Sequence, residues 1–191
     1  MESTEAILLR RSRLTETSLI VTWASPELGV IRTVAKGALR PGSPFRGRLD
    51  LFFSAGVVLA RSRRSDLHQL REVSVSRARH GLARDYLRLQ LASYYGALVE
   101  AVTEPEAPLE GLWPLLATAL DYCDEGRLSR AALGRFERRV CAALGLGELD
   151  EGGAVTALRG LLARLPPQRE ALWETLPVDG GQRTPSQVNR M

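Results

Sequence analysis

The sequence is poor in cysteine, histidine, lysine and aromatic residues. Its two cysteines, Cys123 and Cys141, lie 18 positions apart and form no C-x-x-C pair, so neither a disulfide framework nor a complete zinc site is available. No apolar run reaches the roughly 18 residues that cross a bilayer, and Met1–Glu5 is too acidic to open a signal peptide. We therefore expect a cytoplasmic protein with no membrane partner and no bound metal.

Motifs of catalysis and of nucleotide binding are also missing. The chain has no P-loop, no G-x-G-x-x-G and no H-E-x-x-H. Its two histidines, His68 and His80, belong to no serine, cysteine or carboxylate motif of a known catalytic type, and we expect both at the surface. The sequence predicts no enzyme, no catalytic residue and no cofactor.

The positive charge that is present is unevenly distributed. Of the 26 basic residues, 25 are arginine and one is lysine, Lys36. Residues 1–79 carry 14 basic and 7 acidic side chains, a net charge of +7, whereas residues 80–191 carry 12 and 15, a net charge of −3. Such asymmetry indicates that the first half meets a polyanion and that the second half has another role.

Hydrophobic periodicity divides the chain at the same place. Five short strands are predicted between Ala6 and about Val75, where apolar residues alternate or run together. A loop is predicted between the third and fourth strands, because five of the twelve residues 37–48 are glycine or proline. After Ser76 the period becomes about 3.6, which predicts helices. The predicted strands are Ile7–Leu9, Ser18–Trp23, Val30–Ala35, Leu51–Ala60 and Leu70–Val75. The predicted helices lie near 87–102, 112–123, 128–144 and 155–165, and a short segment around Leu172 and Trp173 follows them.

These elements predict an α+β protein, a five-stranded β-barrel followed by a helical domain. We place the barrel at residues 1–79, the helical domain at 80–176 and a disordered tail at 177–191. About 75 residues suit an oligonucleotide-binding (OB) barrel, although periodicity alone also allows an SH3-like barrel. Cys123 and Cys141 continue apolar helix faces, so we expect both to be buried.

The predicted loop and the strand before it carry spaced cations. A loop of this kind can follow a phosphate backbone, because arginine forks match phosphate oxygens. The plainer interpretation is a solvated basic loop. Arginines that leave the first and fourth strands either extend a nucleic-acid path or protect strand edges from sheet association. The loop set is Arg32, Lys36, Arg40, Arg46 and Arg48; the strand sets are Arg10, Arg11 and Arg13, and Arg61, Arg63 and Arg64.

Few aromatic side chains are available in this half to stack on bases. Trp23, Phe52 and Phe53 lie in strongly apolar runs and are predicted to be core residues. Phe45, beside Arg46 in the loop, is the one plausible exposed stacker. Binding is therefore expected to be mainly electrostatic and independent of base sequence.

Several short segments, taken in their order along the chain, match the pattern of a known protein family. Ala6–Arg10, Glu16–Thr22, Val34–Ala38 with Arg40, Gly47–Leu49, Asp66–Leu67 with Leu70–Glu72, and Arg135–Glu137 resemble the bacterial recombination mediator family RecO. The resemblance covers residues 4–145 and implies an OB barrel. It also implies binding to single- and double-stranded DNA, annealing of complementary strands, and help in loading recombinase onto strands coated by single-strand-binding protein. RecR is the partner that the resemblance implies.

One departure from the family concerns zinc. Many members carry a four-cysteine zinc module after the third helix, whereas the corresponding stretch here is a short linker, Gly145–Gly153, without a cysteine. The carboxy-terminal third is therefore expected to be reduced, and no residues can be carried over for the RecR contact. Arg135, Arg138 and Arg139 on the third helix are either its solvent face or a receptor for the acidic, hydrophobic-ended tail of single-strand-binding protein.

Three hypotheses follow. The first is a non-enzymatic mediator of DNA repair and homologous recombination that works on the nucleoid, with the barrel holding DNA and the helices holding protein partners. The second is a basic OB-fold RNA-binding protein in ribosome assembly or translation. The third is a structural adaptor whose arginines reflect base composition. Annealing of complementary strands favours the first, equal affinity for any polyanion without annealing favours the second, and no binding at low salt favours the third.

Overall fold

Five strands precede the helices in the computed structural model, which describes residues 1–162 and 164–178. The long first strand and the short middle strands follow the apolar and β-branched runs of the sequence. A 3₁₀ helix, His80–Arg84, ends this part of the chain. The strands are β1 (Glu2–Arg13), β2 (Leu19–Ser25), β3 (Gly29–Ala35), β4 (Ser54–Ala60) and β5 (Leu67–Arg77).

The five strands close into a barrel in the order β1-β2-β3-β5-β4. All neighbouring pairs are antiparallel except β3 and β5, which run parallel through Arg32 opposite Leu67 and Val34 opposite Gln69. This strand order is that of the OB fold and excludes the SH3-like alternative. The fold class predicted from the sequence is confirmed.

The barrel interior is filled by alternate residues of each strand. Trp23 lies at its centre, fully buried, and its indole Nε1 donates to Thr33 Oγ1 at 2.9 Å. Val21, Ile31 and Val57 surround it. Burying the one polar atom of the indole against a hydroxyl satisfies its hydrogen bond inside an apolar core.

Within residues 80–162 and 164–178, five α-helices follow the barrel. A single apolar core runs from the outer face of β1 into these helices, through Ile7, Leu9 and Phe52. Cys123 and Cys141 are buried in this core, as the helix periodicity predicts. No helix in the described ranges is both long and apolar enough to cross a membrane. The helices are α1 (Tyr86–Val102), α2 (Leu112–Glu125), α3 (Arg130–Ala143), α4 (Glu151–Leu162) and α5 (Gln168–Thr175).

Arg79 joins the barrel to the helices. Its side chain is buried and donates from Nε to Asp121 of α2 at 2.7 Å and from Nη1 to the Phe52 carbonyl at 2.5 Å and Ser54 Oγ at 3.0 Å. A buried guanidinium needs several acceptors to offset its desolvation. Arg79 therefore fixes the first helices against the β4 end of the barrel.

A buried ion pair joins three of the helices. The Glu137 carboxylate of α3 accepts from Arg169 of α5 at 2.7 and 3.2 Å and from the Tyr94 hydroxyl of α1 at 2.5 Å. Burial and the neighbouring carboxylate together raise the pKa of Tyr94 far above its ordinary value. The tyrosine therefore stays a hydrogen-bond donor.

The structure corrects three expectations. His68 is buried, with 3% of its side chain exposed, because the Ser62 amide donates to its Nδ1 while its Nε2 lies 3.2 Å from Glu106 Oε1. The fourth strand begins at Ser54 rather than Leu51, since residues 51–52 form a turn in which Phe52 has a φ of 63°. The predicted 145–153 linker ends early, because α4 begins at Glu151. The predicted disordered tail lies outside the described residues from 179 onward.

Candidate nucleic-acid interface

Strand register separates the arginines of β1 onto two faces. Arg10 lies opposite Thr22, which lies opposite Arg32, so these side chains share the outer face of the sheet. Arg11 and Arg13 lie opposite Val21 and Leu19, whose side chains belong to the barrel core. Arg11 and Arg13 therefore extend from the inner face at the open end of the barrel.

The outer-face arginines already have acidic partners. Arg10 Nη2 lies 2.6 Å from Glu100 of α1, and Arg32 Nη1 lies 3.1 Å from Asp66. Both arginines line a groove of about 930 Å³ between β1–β3 and α1, whose far wall includes Glu100 and Glu106. A phosphate entering this groove would have to compete with these carboxylates, which weakens the groove as a polyanion site.

The loop between β3 and β4 is held by successive turns rather than by a helix. Amides of Arg40, Ser43, Arg46 and Arg48 each donate to the carbonyl three residues earlier, at 3.0 to 3.1 Å. The loop is also tied to the β1–β2 hairpin, since the Leu39 amide donates to the Thr17 carbonyl at 2.9 Å. Its conformation is therefore set before any ligand binds.

The loop surrounds a depression at the open end of the barrel. Arg11, Arg40 and Arg46 line it, together with apolar side chains of the loop and of β2. Its volume is about 460 Å³. Arg13 lies opposite Leu19 of its wall, and Lys36 follows Ala35, which also lies opposite Leu19. We call the depression and these nearby cations the mouth surface: Arg11, Arg13, Lys36, Arg40 and Arg46.

Most cations of the mouth surface lack an acidic neighbour. Arg11 lies 3.3 Å from Asp50 and donates to the Leu49 carbonyl. Within the described part of the chain, no carboxylate is within ion-pair distance of the other four, and all four are exposed. This concentration of unpaired charge produces a positive potential that attracts phosphates.

A second depression, of about 470 Å³, lies on the other side of Pro44 and Phe45. Arg48, Arg71 and the exposed Glu72 line it, and Arg48 Nη1 donates to the Val73 carbonyl at 3.0 Å. Arg71 is an exposed residue of β5 that lies outside the predicted set of DNA-binding cations. The alternation Leu70-Arg71 on a strand could have indicated its exposure, but its nearness to Arg48 depends on the fold.

Phe45 is not an exposed stacker. Only 7% of it is exposed, and it packs with Leu49 and Ala38 in the barrel core. Beneath the depression, these apolar side chains of the loop cover the barrel core and exclude water from it. Trp23, Phe52 and Phe53 are buried as predicted.

The three arginines predicted to bind a partner lie on one helix. Arg135, Arg138 and Arg139 are exposed residues of α3, whereas Phe136 and Val140 of the same helix are buried. Among the residues described, none of the three has a carboxylate at ion-pair distance. Within residues 1–162 and 164–178 no group of three or more histidine, cysteine or acidic residues is arranged for a metal.

Comparison with known proteins agrees with the fold. The family model "Recombination protein O N terminal" matches residues 1–79. The chain is 32% identical over 141 residues to the DNA repair protein RecO of Rhodopirellula baltica, covering 73% of this chain and 52% of that protein. It is 36% identical over 128 residues to RecO of Geobacter metallireducens, covering 66% and 52%. The chain thus spans about half the length of the curated relatives that it matches.

Proposed function

Because this chain belongs to the RecO family, we propose that it acts as a non-enzymatic mediator of DNA repair and homologous recombination. It binds single- and double-stranded DNA through the barrel, anneals complementary strands and assists recombinase loading on strands coated by single-strand-binding protein. The observation that carries this proposal is the unpaired positive charge of the mouth surface. Its place of action is the nucleoid in the cytoplasm.

The path that we propose for DNA runs over the mouth surface and on to Arg48 and Arg71. Contacts to phosphate position a strand without reading its bases, so affinity should be similar for every sequence. Arg10 and Arg32 contribute less, because Glu100 and Asp66 already neutralise them. Annealing follows from the same charge, since cations that screen two phosphate backbones lower the repulsion between complementary strands.

The test compares two double variants with the same change in charge. Arg40→Glu with Arg46→Glu alters the mouth surface, and Arg138→Glu with Arg139→Glu alters α3. If about four cations neutralise phosphates, the log-log salt slope for single-stranded DNA should be about −3, from about −0.7 per contact. The mouth variant should flatten this slope to about −1.5 and weaken binding to all sequences alike, while the α3 variant should keep the wild-type slope.

The same variants are then tested for annealing of labelled complementary oligonucleotides precoated with single-strand-binding protein. The mouth variant should lose annealing. Its melting temperature should stay near that of the wild type, since exposed loop charges rarely change stability by more than about 0.5 kcal/mol. A wild-type slope in the folded mouth variant would refute the proposed DNA path. Tight binding of RNA without any annealing of DNA would favour an RNA-binding role instead.

For the helical half we propose protein partners. Arg135, Arg138 and Arg139 present exposed, unpaired charge along one helix, which suits the acidic residues of a peptide that ends in a hydrophobic residue. The tail of single-strand-binding protein has this chemistry, and a RecR-type partner is implied by the family alone. The α3 variant should bind such a peptide at least about tenfold more weakly, whereas the mouth variant should bind it normally. Loss of peptide binding in the mouth variant alone would place the peptide on the barrel.

A further inference from the structure

The depression of the mouth surface combines two kinds of chemistry. Its rim carries the guanidinium groups of Arg11, Arg40 and Arg46, and its walls include Leu19 and the partly exposed Leu39. A site for phosphate alone has no use for apolar walls, because a phosphate remains strongly hydrated. A ligand that satisfies both parts carries an apolar or aromatic group between anionic groups.

The size and openness of the depression suit a small planar group. Its volume of about 460 Å³ falls within the range of small-molecule sites. The turn hydrogen bonds of residues 37–48 hold its walls in place, so little ordering is needed on binding. Leu39 is 43% exposed and supplies an apolar surface that a ligand can cover.

We infer that the depression receives one unstacked base of a single strand, with the flanking phosphates on Arg40 and Arg46, because Asp50 already neutralises Arg11. An acidic side chain inside the site would oppose such a strand, and the one carboxylate among the described lining residues, Asp50, lies 3.3 Å from Arg11. A duplex cannot fill the site without unstacking, because its bases are paired and stacked inside the helix. The site therefore gives single strands an advantage over duplexes of equal charge. This inference rests on the proposed DNA path.

The experiment measures the affinity of the full chain for three probes of equal length. These are an ordinary single strand, a strand of the same phosphates without bases, and a duplex. Wild-type protein should bind the ordinary strand at least about fivefold more tightly than the baseless strand. This factor corresponds to the lower end of the range of free energies for one contact between a base and a side chain. The preference should hold for all four bases, since nothing in the apolar walls reads hydrogen-bonding edges.

Two variants change the depression without changing its charge. Leu39→Ala removes an exposed wall, and Ala38→Phe fills the space. Both should reduce the preference for the ordinary strand to about twofold or less, with unchanged affinity for the baseless strand and an unchanged salt slope. Leu161→Ala is the matched control. Leu161 is also an exposed leucine, 53% accessible, but it belongs to α4 and does not line the depression. Leu39→Ala alone decides the question if Ala38→Phe proves unstable in a melting experiment.

The outcomes separate this inference from the proposed function. Equal affinity of wild-type protein for ordinary and baseless strands, with the salt slope intact, would overturn the base site and leave the phosphate path standing. A salt slope insensitive to Arg40→Glu with Arg46→Glu would overturn the path itself. If an acidic peptide ending in phenylalanine bound the wild type but not Leu39→Ala, and no base preference were found, the occupant would be a protein and the inference would be wrong.

Discussion

Removing the charge of Glu137 should destabilise the helical half strongly. Glu137→Gln keeps the volume of the side chain but leaves the Arg169 guanidinium, 7% exposed, without its buried carboxylate. The other carboxylate near Arg169, Glu170, lies 4.0 Å away and is 67% exposed, so water screens it. Breaking one partner of a buried pair costs about 3–5 kcal/mol, a large share of the about 5–15 kcal/mol that stabilises a typical domain.

The assay is guanidinium unfolding at pH 7 followed by tryptophan fluorescence. Trp173 is a local reporter, because the Arg169 guanidinium lies 5.1 Å from its ring. Arg169→Met and the double variant complete a mutant cycle, and the double variant should be more stable than the sum of the single losses by at least about 2 kcal/mol, since no buried charge is then unpaired. Glu170→Gln is the control: its exposed pair with Arg159, at 2.8 Å, should contribute less than about 1 kcal/mol. A loss below about 1 kcal/mol for Glu137→Gln would refute the reasoning.

Two further predictions concern stability. Gly29→Ala should lower the free energy of unfolding in denaturant by at least about 2 kcal/mol more than Gly42→Ala. Both glycines have positive φ, 71° and 75°, but a Cβ on Gly29 would meet the Ala107 carbonyl oxygen at 2.2 Å, whereas Gly42 has open space around it. Equal losses would show that the loop after α1 moves away without a free-energy penalty. Burial raises the pKa of the Cys123 thiol from 9.0 to about 12. Because the thiol has a higher pKa in the folded than in the unfolded state, its contribution to the free energy of unfolding is complete below about pH 9 and falls by about 1.4 kcal/mol per pH unit above it. Between pH 9 and 11 the free energy of unfolding of Cys123→Ala should therefore fall less steeply than that of the wild type. An identical fall in both proteins would contradict the effect of burial.

Local patterns in the sequence were sufficient for the elements and the α+β class, whereas the choice of an OB over an SH3-like barrel needed the family resemblance and the strand order. Alternation and apolar runs identify five strands, and the change to a period of about 3.6 after Ser76 identifies the helices, because backbone geometry links side-chain direction to short-range spacing. The Gly/Pro content of residues 37–48 identifies the loop for the same reason. The strongly apolar runs around Trp23, Phe52 and Phe53 also predict their place in the core, and the structure confirms it. The family resemblance rests on these same segments.

The partners of charged and loop residues were decided only by tertiary structure. Arg10 and Glu100 lie ninety positions apart, and Glu137 and Arg169 lie 32 apart, so no local spacing indicates either pair. Phe45 and His68 are buried because other segments pack over them, although a polar residue, Arg46 or Gln69, directly follows each in sequence.

The division of the arginines between two faces has the same origin. Register places Arg11 toward the open end of the barrel and Arg10 toward α1, one residue away in sequence. Periodicity states that neighbouring strand residues face opposite sides, but only the closed barrel and the helix packed on it decide which side meets an acid and which meets solvent. Charge is a property of the sequence, whereas the availability of that charge to a ligand is a property of the fold.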